Sequence, residues 1–279
     1  RPRRSLHQPI KKAQPSKSPT PASRGRAMDD SHRVLIETQF RDLSEFYPDL
    51  RLEENQGEWV LKGILDFSAC YENTKIQDSF QIEISISAEY SRELPAAKET
   101  GGRIPLDPDF HINPDGSFCL GAPVDIKRKF AQEPTLLGFI NNLVIPFLFS
   151  FSYRERNGAM PYGELSHGGQ GLVEYYLKYF DITSELSVLR LIGILATDKY
   201  RGHHDCPCGS GKRIRKCHGN KVLELKALQS TREFLSEYLA VLLHLRKTKK
   251  ALSNELINQQ ALTLIKKEQR ALRAQVSGK

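Results

Sequence analysis

Residues 80–87, "FQIEISIS", alternate apolar and polar side chains with a strict period of two. Successive side chains of a strand point to opposite faces, so the four apolar residues of this stretch share one face. The same period recurs upstream in an apolar set formed by Trp59, Leu61, Leu65 and Phe67. Such alternation is typical of an antiparallel sheet with one buried face and one face in water.

Helical patterns lie on both sides of these strands. Residues 29–48, "DDSHRVLIETQFRDLSEFYP", predict a helix that covers the dry face of the sheet, with an apolar stripe formed by Ile36, Phe40, Leu43 and Tyr47. Residues 91–132 are rich in Pro and Gly and are expected to be mostly irregular. Residues 133–151 predict a second helix that bends or ends near Pro146. This order of elements predicts an α+β fold.

The net charge of +8 belongs to the N-terminal end of the chain. Residues 1–27 hold eight basic side chains and no acidic one, which leaves 33 basic and 33 acidic side chains elsewhere. These residues also include five prolines and no aromatic residue, so they predict a disordered basic tail, and Met28 fits a natural start of translation. Because no net positive charge remains outside the tail, nucleic-acid binding is not expected.

Charge is also unevenly divided in the remainder. Residues 28–150 carry 11 basic and 21 acidic side chains, whereas residues 151–279 carry 22 and 12. The two halves could steer two different partners, or could simply be solvated surface.

Neither a membrane nor an oxidising compartment is predicted. No N-terminal segment has the apolar core of a secretory signal, and Asn141, Asn142 and Pro146 interrupt the longest apolar stretch, residues 136–151. A membrane span needs about 18 clean apolar residues, so we expect a buried helix. Five cysteines are an odd number and three of them lie within twelve residues, which disfavours a disulfide framework and favours the cytoplasm.

The C-terminal half predicts helices around a cysteine cluster. A glycine-rich bend at residues 163–171 precedes two helical stretches, residues 172–180 and 184–198, and residues 221–275 predict a helical pair with a break near residues 247–253. The bend lacks the Lys and Ser or Thr of a phosphate-binding loop. Ser166 and His167 are interpreted as loop residues, because no strand-to-helix elbow surrounds them.

The cluster itself is "CPCGSGKRIRKCHG", residues 206–219. Its spacing offers four soft donors to a tetrahedral zinc ion, at about 2.3 Å for sulfur and about 2.0 Å for nitrogen. Gly209 and Gly211 permit the positive φ angles of a tight reversal. Four protein ligands close the site, so a structural Zn²⁺ is predicted, held by Cys206, Cys208, Cys217 and His218.

This stretch closely resembles the SEC-C zinc motif, in which the last ligand is Cys or His. The resemblance covers about fourteen residues. It implies a small protein-contact knuckle rather than an activity.

Residues 111–121, "HINPDGSFCLG", form the second candidate site. Once a metal takes three cysteines, Cys70 and Cys119 remain, and Cys70 follows a strand, where a thiol is expected to pack as a small hydrophobic residue. Cys119 lies near His111 and Asn113, and Gly116 permits their approach. A thiol nucleophile needs thiolate character and a donor for the developing oxyanion, which an Asn amide supplies. On spacing alone, Cys119 is either such a nucleophile or a small core residue.

The stretch resembles the loop of ubiquitin-conjugating enzymes, which carry His-Pro-Asn, a Gly and then Cys-Leu after a strand meander and a Tyr-Pro…Pro segment. Here "YSRELP" at residues 90–95 precedes "HINPDGSFCL", and the resemblance covers roughly residues 31–150. It implies that Cys119 forms a thioester, that Asn113 stabilises the oxyanion or the loop, and that His111 is a structural loop residue. The chain departs from the family at Ile112, which replaces Pro, and Asn113 lies two residues closer to the Cys.

The divergence and the attached zinc motif resemble prokaryotic members of this family. They imply a bacterial acyl transferase in antiphage defence, acting beside a cyclic-nucleotide synthase. The modifier would be a ubiquitin-like protein or the C terminus of that synthase, and would be passed to amines of a target. Either a separate enzyme activates the modifier, or it arrives already activated. Asp115 and Asp125 are candidates for receiving the incoming lysine. The alternative is a catalytically inactive, zinc-containing adaptor that binds proteins.

These assignments divide the chain into five parts. They are a disordered tail (1–27), a ubiquitin-conjugating-enzyme-like domain (28–153), a helical connector (154–202), a zinc knuckle (203–220) and a helical basic tail (221–279).

Overall fold

The computed structural model describes residues 21–55, 58–161, 166–248 and 258–277. Within these ranges the chain forms one four-stranded antiparallel sheet and eight helices. The predicted α+β class is confirmed.

The sheet is a meander of strands in sequence order. It contains β1 (Leu50–Asn55), β2 (Glu58–Tyr71), β3 (Thr74–Ile86) and β4 (Ala96–Glu99). The register pairs Leu61 with Ile84 and Leu65 with Phe80, so the apolar residues of both predicted strands face the same core. The alternation read from the sequence is therefore confirmed.

Helix α1 (Pro21–Ser44) precedes the sheet and contributes Ile36 and Leu43 to the core. It begins inside the stretch predicted to be disordered, whose residues 1–20 lie outside the described residues. The sheet itself is contacted by the second half of α3 (Leu136–Asn157), and α1 packs on the beginning of that helix. The dry face of the sheet, which α1 was predicted to cover, is thus covered by α1 and α3 together.

Helix α3 does not end at Pro146. A widened π turn, Ile140–Val144, lies directly before the proline, and the helix continues as Ile145–Asn157. Proline has no backbone N–H to donate to the preceding turn of a helix. The widened π turn before Pro146 allows the helix to continue past the proline. Among the described helices, α3 is the one long and apolar enough to cross a membrane, with 56% of its most apolar window buried. Core helices meet the same criterion, and the predicted burial agrees with Leu148 and Phe149.

Residues 91–132 contain more regular secondary structure than predicted. They contain β4, a 3₁₀ turn (Pro108–Phe110), a small hairpin around residues 112–118 and helix α2 (Pro123–Phe130). The prediction missed β4 because its four residues, "AAKE", show no clear apolar period.

Five further helices build a second core. They are α4 (Gly168–Phe180), α5 (Glu185–Ala196), α6 (Gly219–Leu228), α7 (Thr231–Thr248) and α8 (Gln259–Ser277). The helices predicted for 172–180 and 184–198 are confirmed, whereas the break near residues 247–253 lies largely outside the described residues. Helix α2 joins the two cores, because Val124 packs in the second and Phe130 in the first.

Candidate functional site

Three cysteines and one histidine converge at one end of the second core. Their ligand atoms all lie within 4.8 Å of one another, in the set formed by Cys206, Cys208, Cys217 and His218. The sulfurs of Cys208 and Cys217 are 3.6 Å apart, and His218 Nδ1 lies 3.2 Å from Cys206 Sγ. A tetrahedral zinc site has edges of about 3.8 Å between sulfurs and about 3.5 Å between sulfur and nitrogen. The cluster could therefore hold a metal ion with little adjustment.

The imidazole of His218 is oriented by a second contact. Its Nε2 lies 2.8 Å from the carbonyl oxygen of Phe180, at the end of α4. Since a carbonyl only accepts, Nε2 carries the proton, and Nδ1 presents its lone pair to the three sulfurs. Metal-binding histidines in proteins are held in this way by an outer acceptor.

Backbone contacts of a short hairpin place the cysteines. Cys206 N–H donates to Lys212 O (2.8 Å), and Asp205 forms a bridge with Arg213. Gly209 and Gly211 have φ angles of 82° and 68°, in the left-handed region predicted for this reversal. Cys206 is buried while Cys208 and Cys217 are partly exposed.

The thiols of the cluster differ in acidity. Burial raises the pKa of Cys206 to about 11. Burial acts in the same direction on Cys208, but hydrogen bonds from Ser210 outweigh it and lower its pKa to about 6. Because a metal binds the deprotonated thiols, binding releases protons and weakens in acid.

Cys119 lies at the end of the small hairpin of residues 111–119. Phe118 N–H donates to Ala97 O (2.8 Å), which attaches the hairpin to β4 at the sheet edge. On the inner face, Ile112 and Phe118 are buried, and the Phe118 ring stacks on Phe147 with centroids 4.3 Å apart. These contacts fix the position of the partly exposed thiol.

The outer face of the hairpin is polar. Ile112 pairs with Phe118, with Cys119 N–H donating to His111 O (2.7 Å) and Asn113 N–H to Ser117 O (2.8 Å). Side chains alternate between faces along a strand, so Asn113, Ser117 and Cys119 lie on the face opposite to Ile112 and Phe118. His111 has a φ angle of 56°, outside the strand region, so the alternation does not fix the direction of its ring. Cys119 is opposite His111 rather than Asn113.

The Asn113 amide is used within the hairpin. Its Nδ2 donates to Ser117 Oγ (3.0 Å) and lies 3.5 Å from Phe118 O. Asp115 Oδ1 accepts from the backbone N–H and the hydroxyl of Ser117 (3.0 and 2.7 Å), and the hydroxyl bond lowers the pKa of Asp115. Asn113 and Asp115 thus shape the turn.

Asp125, the other carboxylate singled out for the incoming lysine, lies on α2. It is paired with Arg128 at 2.9 Å and with Lys129 at 3.0 Å. Both partners stand on the same helix, so this carboxylate stabilises α2.

Two other sequence interpretations have clear outcomes. Cys70 is exposed at the end of β2, so the expectation that it packs as a small hydrophobic residue is wrong. Strand β2 ends at the turn after Tyr71, and Cys70, next to this turn, lies outside the core. Ser166 Oγ donates to Glu174 Oε1 (2.7 Å). His167 instead lies against His111, with ring centroids 4.7 Å apart, a contact that the sequence did not reveal.

No known protein family, curated protein or solved structure matches this chain. The geometry of the two cysteine sites therefore carries the functional proposal.

Proposed function

We propose that this chain is an acyl transferase of the ubiquitin-conjugating type, which carries the C terminus of a modifier protein as a thioester on Cys119. The observation that carries the proposal is the place of this thiol. Cys119 is partly exposed at the end of a hairpin, its backbone pairs with that of His111, and the hairpin is hydrogen-bonded to the sheet edge. A nucleophile held on a rigid element meets its substrate in a defined geometry.

The order of elements supports the same proposal. One helix, a four-stranded antiparallel meander, a loop with the cysteine and then further helices follow the order expected from the resemblance to ubiquitin-conjugating enzymes. His111 and Asn113 lie in this loop ahead of the cysteine, with Asn113 two residues closer to Cys119 than in that family. The assignment to prokaryotic, cytoplasmic members that act in antiphage defence belongs to this proposal.

The reaction requires two acyl transfers. The Cys119 thiolate attacks the activated carbonyl of the donor, the carbon–sulfur bond forms, and the donor's leaving group departs. A target amine then attacks the Cys119 thioester, so the amide bond forms and the thiolate is released. The donor would be the thioester or adenylate made by a separate activating enzyme, and its protein part a ubiquitin-like modifier or the C terminus of a cyclic-nucleotide synthase.

The cysteine–histidine cluster is proposed to bind a structural Zn²⁺. Three thiolates and one neutral imidazole complete a tetrahedron and leave no open position for a substrate. The Zn²⁺ complex has a net charge of about −1, and it lies beside the exposed basic residues Lys212, Arg213, Arg215 and Lys216. Elemental analysis of purified protein should find one zinc per chain, and a metal-free protein with an intact fold would remove this part of the proposal.

A second candidate function is a catalytically inactive adaptor that binds proteins. The observation in its favour is that the Nδ2 group of Asn113 is engaged by Ser117 and Phe118 within the hairpin. An amide used in this way is not presented to an oxyanion at Cys119. The adaptor would use the same fold and zinc knuckle without chemistry.

Intact mass spectrometry separates the two functions. The protein is isolated without reducing agent from cells in which it is naturally made, and the wild type is compared with Cys119→Ser and with Cys70→Ser as the control for an exposed thiol. The transferase predicts a protein-sized adduct that thiol removes from wild type and Cys70→Ser, and a thiol-resistant ester on Cys119→Ser. Absence of any adduct in all three proteins, with full biological activity of Cys119→Ser, would favour the adaptor.

A further inference from the structure

We infer that the zinc knuckle carries a binding surface for single-stranded nucleic acid, formed by basic residues of the knuckle and of the segment that leads into it. The inference concerns a second site and does not depend on acyl transfer at Cys119. Six residues form this surface, which we call the basic surface. They are Lys199, Arg201, Lys212, Arg213, Arg215 and Lys216.

The backbone brings the two basic segments side by side. Arg215 N–H donates to Gly202 O (3.2 Å), and Ile214 N–H donates to His204 O (2.8 Å). A Cβ atom at Gly202 would lie 3.2 Å from the Cβ atom of Arg215. The six cations are therefore presented by one small, closely paired unit rather than by separate parts of the chain.

Neighbouring carboxylates do not neutralise the basic surface. All six side chains are exposed, and none of them forms an ion pair within the described part of the chain. Asp198, which precedes the surface, is paired with Lys226 at 2.6 Å. Asp205 is the one acidic residue among residues 199–219. This carboxylate and the Zn²⁺ complex, with its charge of about −1, leave about four positive charges.

The zero net charge outside the tail does not argue against such a surface. That value averages the acidic residues 28–150 with the basic residues 151–279. A nucleic acid responds to the local charge that it meets, and here six exposed cations lie within 18 residues.

The exposed groups favour a nucleic acid over an acidic protein. Protein interfaces are centred on apolar and aromatic side chains. Within residues 199–219 no large hydrophobic side chain is exposed, since Ile214 and Cys206 are buried. Nucleic-acid interfaces are more polar and carry more positive charge. The resemblance to the SEC-C motif implies a protein contact, but the groups that this knuckle exposes fit phosphates.

Two histidines add planar groups beside the cations. His203 and His204 are both exposed, and their rings meet edge to face with centroids 4.7 Å apart. Imidazole and guanidinium planes stack on unpaired bases, whereas the bases of a duplex are already stacked on one another. Cations together with exposed rings therefore fit a single strand.

Fluorescence anisotropy of the full chain with labelled oligonucleotides tests the surface. The probes are a uridine RNA and a thymidine DNA of about 12 nucleotides, which is within the length of a single-strand site. Binding is measured at about pH 8, where a free imidazole is neutral. Unlabelled oligonucleotide and polyglutamate of equal charge are the competitors.

Three double variants each remove two positive charges. They are Lys199→Gln/Arg201→Gln, Lys212→Gln/Arg213→Gln and, in the N-terminal tail, the matched control Arg3→Gln/Arg4→Gln. A fourth variant, His203→Ala/His204→Ala, removes the two rings. Zinc content and thermal unfolding verify the fold of each variant.

We expect either knuckle charge variant to bind about tenfold more weakly than wild type, whereas the tail control stays within about twofold. Four positive charges neutralise about four phosphates, so a rise in salt from about 50 to about 200 mM should weaken wild-type binding about 50-fold and that of either knuckle charge variant about sevenfold. The histidine variant should bind about fivefold more weakly with an unchanged salt dependence, because stacking involves no counterion release.

The inference is overturned if neither probe binds, or if the tail control loses as much affinity as the knuckle charge variants. It is also overturned if polyglutamate displaces the probe as well as the unlabelled oligonucleotide does, which would identify an acidic protein as the partner. Unchanged affinity of the histidine variant overturns the role of the rings. A preference for RNA or for DNA supports the inference and identifies the sugar that is recognised.

Discussion

The two cysteine sites of this protein differ in what surrounds each sulfur. In the cluster that ends at His218, every ligand atom faces the other three within 4.8 Å, and the imidazole is tied from behind by Phe180. At Cys119, a single, partly exposed thiol lies at the end of a hairpin in which the Asn113 amide is bonded to Ser117. Sulfurs that face one another are suited to a metal ion, whereas a single, partly exposed thiol is accessible to a substrate.

The sites also differ in how they are held. The cluster is formed by one short reversal that contributes Cys206 and Ile214 to the second core. The hairpin of Cys119 is a continuation of a sheet and is held by its backbone bonds and by Phe118. We therefore expect the cluster to depend on its metal and the hairpin to depend on apolar packing.

The largest expected effect is loss of the metal ligands. Cys206→Ser, at the most buried ligand, should lower the free energy of unfolding by more than about 4 kcal/mol, since loss of a metal is among the most destabilising changes. Thermal unfolding with zinc analysis measures it, and a chelator should reproduce the effect on wild type. Cys70→Ser is the control on an exposed thiol and should change little. Equal stability of Cys206→Ser and Cys70→Ser would contradict a structural metal.

The next effect concerns the packing under the hairpin. Phe118 is 5% exposed and stacks on Phe147, so Phe118→Ala should cost about 3–5 kcal/mol. Phe46, which is 64% exposed, offers a matched control, and Phe46→Ala should stay within about 0.5 kcal/mol. Urea unfolding followed by fluorescence of Trp59 measures both. A small effect of Phe118→Ala would mean that the hairpin is held by its hydrogen bonds alone.

Low pH should affect the sheet and the metal cluster through different titratable groups. Burial favours the neutral form of Asp78, but hydrogen bonds from Arg103 and Ser152 outweigh it and lower the pKa of this carboxyl to about 2. A folded-state pKa below the unfolded value stabilises the protein above about pH 4, and this contribution of about 1–2 kcal/mol is lost as the pH falls towards 2.

Denaturant unfolding between pH 5 and pH 2 tests this dependence. Asp78→Asn should be less stable at pH 5 and should show a flatter acid limb than wild type. Zinc, by contrast, should leave as its ligands become protonated, without dependence on Asp78. Parallel acid limbs in Asp78→Asn and wild type would rule out the role of this carboxyl.

The smallest expected effect tests the Asn113 amide. Asn113→Ala removes the bonds to Ser117 and Phe118 and should lower stability by about 1 kcal/mol. Ser117→Ala removes the same side-chain bond from the other end, together with the hydroxyl bond to Asp115, and serves as the comparison. If the amide acts only in the turn, Asn113→Ala lowers thioester transfer no more than Ser117→Ala does. A far greater loss of transfer in Asn113→Ala would show that the amide also reaches the oxyanion.

Much of the architecture follows from local patterns in the sequence. The period of two in β2 and β3 and the stripe of α1 predict their elements, because burial of one face is a local property. The four ligands of the cluster lie within thirteen residues, so their spacing suffices to bring them together. β4 was missed because four residues show too little of a period, and Cys70 was misplaced because burial ends where the strand leaves the core.

The residues that lie next to Cys119 could not be predicted from residue spacing alone. The resemblance assigned the oxyanion or the loop to Asn113 and a structural role to His111, whereas the hairpin register pairs the backbone of Cys119 with that of His111. That register follows from the Asn113–Gly116 turn, in which Gly116 has a φ of 84°, so this signal was present in the sequence. The contact of His167 with His111 joins residues 56 positions apart through two cores, and no local pattern predicts it.

One measurement tests the division of roles most directly: the alkylation rate of each of the five cysteines in the native protein, before and after addition of a chelator. We predict that Cys119 and Cys70 react at once, whereas Cys206, Cys208 and Cys217 react only after the chelator is added. The account would be contradicted if the three cluster cysteines reacted as fast as Cys119 without chelator, or if Cys119 were protected until the metal was removed.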